Sequence, residues 1–62
     1  MKPTEVIYKS ESGNYRVLFC RDALGMKYRV QMKDKYGHWE PIYWTDSPLD
    51  ALNVMKRAAK EV

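Results

Sequence analysis

Met26-Lys27-Tyr28-Arg29-Val30-Gln31-Met32-Lys33 alternates apolar with polar side chains. Successive side chains of a β-strand point to opposite faces, so Met26, Tyr28, Val30 and Met32 fall on one side. Lys27, Arg29, Gln31 and Lys33 fall on the other, and Lys35 continues that polar series. Alternation at period two marks a strand that rests on a core with one face and meets solvent with the other. The run therefore predicts a sheet with one apolar and one basic face.

Working outward, Ser12-Gly13-Asn14 supplies hairpin chemistry between a strand over about residues 5–10 and another over about 15–21. The second of these is apolar on both sides: Tyr15, Val17 and Phe19 share one face, Leu18 and Cys20 lie on the other with Arg16. That pattern predicts a strand in the middle of the sheet. Asp22-Ala23-Leu24-Gly25 turns the chain into the alternating strand, placed at about residues 26–34. Tyr36-Gly37 then reverses it into a fourth, about 39–44, where Pro41 cannot donate to a ladder and so predicts an edge or a bulge. Connections this short favour an antiparallel meander.

Downstream, Ser47 is a natural N-cap, Pro48 suits the first helical position, and Asp50 three residues after Ser47 completes a capping-box pattern. Ala51, Leu52, Met55, Ala58, Ala59 and Val62 fall on one arc at helical spacing, with Val54 at its margin. A helix over about residues 48–61 follows, with Lys56, Arg57 and Lys60 complementing its carboxyl end. The fold class is α+β. It is a small antiparallel β-meander of three to four strands with one C-terminal helix packed on its apolar face, in a single domain spanning 1–62.

Such a chain bears a thin core, because 62 residues bury only about 60% of their unfolded surface. Cys20 stands alone and so makes no intrachain disulfide, and with His38 as the one histidine a closed zinc site has too few ligands. Two Trp, five Tyr, one Phe and four Met must fill the interior instead. No run reaches the length of a membrane span, and Met1-Lys2-Pro3-Thr4-Glu5 has no apolar leader, so a cytoplasmic setting is expected. Catalysis needs a base within reach of a nucleophile or proton, and the scattered carboxylates, His38 and Cys20 form no such constellation. Gly13, Gly25 and Gly37 are isolated, each at a reversal, and form no phosphate loop. The expectation is a non-enzymatic protein with no cofactor, no metal and no small-molecule substrate.

Eleven Lys and Arg against eight Asp and Glu leave a net charge of +3, which matters when the cations are gathered on one face. Lys27, Arg29, Lys33 and Lys35 gather along one strand, and Arg16 joins them if the register places it alongside. Cations interleaved with aromatics suit contact with nucleic acid, the charges holding phosphates and a ring stacking or wedging. Trp39 and Tyr43 share a face by alternation and are the aromatics expected to meet a partner, while Ile42 and Trp44 are expected in the core. The leading expectation is nucleic-acid binding by this sheet face. The rival is a protein-binding inhibitor or adaptor of phage or mobile-element type, anchored by Trp39 and Tyr43. A homodimer burying those two rings is the third.

Over about residues 15–60 the organisation resembles two DNA-binding modules: the sheet domain of plant ethylene-response transcription factors and the amino-terminal arm-type domain of phage tyrosine recombinases. The matching residues are Ser47, Asp50 and Ala51 at the helix start, with Lys27, Arg29 and Lys33 on the presented sheet. The resemblance implies an open sheet face that inserts into the major groove. The fourth strand with Pro41 and an extra residue between Trp44 and the cap set this chain apart from both.

Overall fold

The computed structural model describes residues 4–61. Strands β1 (Thr4–Lys9), β2 (Tyr15–Cys20), β3 (Tyr28–Lys33) and β4 (Trp39–Thr45) form one antiparallel sheet in the order β1-β2-β3-β4, and helix α1 (Pro48–Ala58) follows. This is the meander with one packed C-terminal helix that alternation and capping chemistry predict. β2 is internal, in keeping with its two apolar sides, and β4 is an edge strand, in keeping with Pro41.

The alternating strand begins at Tyr28 rather than 26. Met26 and Lys27 belong to the preceding loop, where the Lys27 backbone N–H donates to Asp46 Oδ1 at 3.1 Å. At the other hairpin the Asp34 carboxylate accepts from the backbone N–H groups of Tyr36 and His38, at 2.8 and 2.9 Å. Gly37, at φ 83°, supplies the left-handed step that this reversal needs.

Directly opposed residues of antiparallel strands share a face. Val17 opposes Val30, and Val30 opposes Tyr43, on the side that receives the helix. Val17, Val30, Ala51 and Met55 are the buried centre, flanked by Ile7, Tyr15, Tyr28, Leu52 and Val54. Ala51 has no exposed surface, and its small side chain lets the first helical turns approach β2, β3 and β4 closely. The buried and flanking helical residues are drawn from the arc read in the sequence; Val62, also placed on that arc, lies outside the described residues.

Two sheet irregularities set the faces. In β1 the register shifts between Val6 and Tyr8, so Ile7 is the extra residue and packs against the core. In β4 the register shifts between Val30 and Gln31: Val30 opposes Tyr43, but Gln31 opposes Pro41, which leaves Ile42 as the extra residue. A bulge of one residue inverts the inward–outward phase of everything beyond it.

The helix ends at Ala58, short of 61, because Lys60 adopts φ 58°. The Glu61 N–H donates to the Lys56 carbonyl at 2.8 Å and the Lys60 N–H to the Arg57 carbonyl at 3.2 Å. These are the two bonds of a Schellman motif, with lysine where glycine is usual. The Glu61 carboxylate also accepts from the Glu11 backbone N–H at 2.9 Å, tying the helix end to the first hairpin. A side chain in the left-handed region costs about 1 kcal/mol. Lys60→Gly should therefore raise the thermal midpoint, by roughly 0.5–1 kcal/mol of stability. A fall in midpoint would show that Lys60 contributes a contact worth more than its strain.

Candidate functional site

The sheet face away from the helix is built by alternate residues of each strand. Thr4, Val6 and Lys9 come from β1, Arg16, Leu18 and Cys20 from β2, and Arg29, Gln31 and Lys33 from β3. β4 adds Trp39, opposite Lys33, Pro41, opposite Gln31, and Trp44, opposite Arg29. Glu5 and Glu40, the carboxylates borne by the strands, oppose Phe19 and Met32 and so lie on the helix side. Among the described strand residues this face thus carries Lys9, Arg16, Arg29 and Lys33 and no acid.

The expected cations divide. Arg16 does join the surface: it opposes Gln31, and its Nε donates to Gln31 Oε1 at 2.8 Å. Its guanidinium carbon lies 4.0 Å from the centroid of the Trp39 ring, and Lys33 Nζ lies 5.1 Å from the same centroid. Cation–π attraction of this kind holds both charges near the indole. Arg29 sits beside Trp44, with its Nε covered and, among the described residues, without a hydrogen-bond partner.

Two expected cations are placed elsewhere. The Lys27 ammonium donates to the carbonyls of Arg21 and Ala23, at 2.9 and 3.1 Å, and so closes the β2–β3 loop. A lysine at a turn finds free carbonyls close by, which draws it off the strand face. Lys35 follows the end of β3 and stands 5.1 Å from the Tyr36 ring in the second hairpin. Neither contributes to the basic plane.

The aromatics also depart from expectation, and the bulge at Ile42 is the reason. Trp39 and Tyr43 do not share a face. Trp39 is on the basic side, whereas Tyr43 opposes Val30 on the helix side, and its hydroxyl donates to Asp50 Oδ2 at 2.8 Å. Trp44 is not in the core but on the basic side with 49% of its surface exposed, and Ile42 is 39% exposed. The signal for this was Pro41, which indicates a bulge, though not the phase inversion that a bulge carries.

The face is not uniformly polar. Leu18 and Cys20 point to it yet are 7% and 6% exposed, so longer neighbours such as Arg29, directly opposite Leu18, cover them. Cys20 is a free, buried thiol. His38 is an exposed hairpin residue whose Nδ1 lies 3.9 Å from Asp34 Oδ2. Among the described residues no group of three or more His, Cys, Asp or Glu is placed to hold a metal ion. No helix among them is long and apolar enough to cross a membrane.

The Tyr43–Asp50 bond alters the helix start as well. Ser47 Oγ accepts from the Asp50 N–H at 3.2 Å, the forward half of a capping box. The return half is replaced: the Ser47 N–H donates to Thr45 Oγ1 at 3.2 Å, and the Asp50 carboxylate takes the phenol. That hydrogen bond, followed by the carboxylate's negative charge, holds the Tyr43 phenol above its ordinary 10.0. The bond's stabilisation is therefore present below the ordinary phenol range and lost as pH rises through the raised folded value. In an alkaline absorbance titration, Asp50→Asn should move the Tyr43 ionisation to lower pH. A titration unchanged by that substitution would refute the coupling.

Comparison with protein-family models, curated proteins and solved structures gives no match.

Proposed function

We propose that this chain is a non-enzymatic nucleic-acid-binding module that works through its open sheet face. The observation that carries the reading is the segregation of charge: Lys9, Arg16, Arg29 and Lys33 on a face whose strand residues include no carboxylate, with Trp39 and Trp44 beside them. A plane of fixed cations attracts a polyanion from beyond contact distance and gains further when condensed counterions are released. Gln31 and Trp39 hold Arg16 in place, so less side-chain freedom is lost on binding. The buried, unpaired Cys20 suits a reducing compartment, and the proposed setting is cytoplasmic.

Three or four phosphate contacts imply that affinity for a labelled oligonucleotide falls roughly 20- to 50-fold between about 50 and 200 mM salt. Arg16→Ala combined with Lys33→Ala should weaken binding about tenfold or more and flatten that salt dependence. Anisotropy titrations measure both quantities. Affinity that is indifferent to salt, or to the paired substitution, would refute the reading.

One observation favours a protein partner instead. Leu24, Met26 and Leu49 are exposed, and the Lys27–Asp46 bond brings the loop of the first two beside the helix start. Exposed apolar side chains gathered at one end suit an adaptor surface. Absence of oligonucleotide binding, with a partner lost on Leu24→Asp or Leu49→Asp, would favour that alternative.

A further inference from the structure

The open face holds two arginine–tryptophan pairs, and they are in opposite states. Arg16 and Trp39 are closed on each other: the guanidinium is stacked on the ring at 4.0 Å and its Nε is satisfied by Gln31. Arg29 and Trp44 are direct cross-strand neighbours, yet no cation–ring contact joins them. Among the described residues the Arg29 guanidinium makes no hydrogen bond or ion pair; its Nε is covered, which leaves its terminal nitrogens to meet a ligand, and the Trp44 ring, half exposed, has neither an aromatic nor a cationic partner.

We propose that the Arg29–Trp44 pair is a station for one unpaired nucleotide, and that the ligand of this face is single-stranded nucleic acid. This rests on the nucleic-acid reading above and narrows it. A cation with no acceptor gains a charge-assisted hydrogen bond from a phosphate oxygen without breaking an existing one. An indole with no ring neighbour offers a stacking surface to a base. In a duplex the base faces are already stacked on one another, so Trp44 has a ring to meet only when the base is unpaired. Trp39 cannot serve in the same way while Arg16 lies over it. The surrounding charge fits a polyanion, with Lys9, Arg16 and Lys33 flanking the station and the strand carboxylates turned to the other side.

The test uses the full chain with two fluorescent probes, a dodecathymidine single strand and a mixed-sequence duplex of equal length, at one fixed salt concentration. The single strand should bind the more tightly. Base stacking should quench indole fluorescence in Trp39→Phe, which retains Trp44, and leave Trp44→Phe nearly unquenched. Trp44→Ala should lose roughly five- to 100-fold in single-strand affinity while duplex affinity holds, the range that one stacked base contributes. Arg29→Lys should lose part of it, because an ammonium keeps the charge but not the guanidinium fork. Circular dichroism and a melting curve confirm folding of each variant, and the exposure of Trp44 makes it a mild substitution. Equal or tighter duplex binding, or quenching confined to Trp39, overturns the single-strand station and leaves the nucleic-acid reading standing. Binding to neither probe overturns both.

Discussion

Met55→Ala should lower the thermal midpoint by about 10–30 °C, following a loss of about 2–4 kcal/mol. Met55 is 2% exposed and, with Ala51, forms the helix's part of the buried centre against Val17 and Val30. Truncation removes the transfer energy of its side chain and leaves a cavity that a rigid sheet cannot close. The helix itself gains slightly from alanine, so the loss is one of packing and not of helical propensity. A domain of this length holds about 3–9 kcal/mol in total, which makes the change a large share. Leu49→Ala on the same helix is the control, because Leu49 is 66% exposed and should cost under about 0.5 kcal/mol. Equal costs for the two would mean that the helix is not clamped to the sheet through Met55.

Deleting Ile42 should leave every other β4 side chain on its present face and cost about 1–2 kcal/mol, close to the cost of Ile42→Ala. Ile42 is the extra residue between Tyr43, opposite Val30, and Pro41, opposite Gln31, so without it those two pairs become successive rungs of a regular ladder. Trp39 then stays beside Arg16 and Lys33, and Tyr43 stays on the side of Asp50. Inserting the residue is what inverted the phase, and removing it restores agreement between alternation and the observed faces. Denaturant titration measures both variants, and tryptophan emission should stay close to that of the parent. A deletion that costs far more than Ile42→Ala, or that moves the tryptophan emission, would show that β4 needs the bulge itself to hold its two tryptophans in place.

The same bulge marks where sequence and structure part company. The meander was legible because alternation, isolated glycines and the Ser47–Pro48 start each act over a few residues and agree with one another. The basic face was legible in Arg29 and Lys33, and Arg16 joined it through a register that only pairing decides. Trp44 was misplaced because alternation carries no memory of an inserted residue, so a correct reading of Trp39 became an inverted one past Ile42. Lys27 was misplaced for a different reason. A long cation at a strand end has a choice between solvent and nearby loop carbonyls, and the fold supplies those carbonyls from Arg21 and Ala23. The lysine in the Schellman position had no signal at all, since glycine is what the eye expects there.

The two bulges carry one more consequence. A four-stranded open sheet has two margins, β1 and β4, where another chain could extend the ladder. Each margin is interrupted, by Ile7 on one side and by Ile42 with the neighbouring Pro41 on the other. An incoming strand therefore meets only short regular stretches at either rim, and ordered cross-β growth from the folded chain has no continuous template. For a chain with this much aromatic surface, concentrated solutions should stay free of fibres while the fold holds, and form them first under conditions that unfold it.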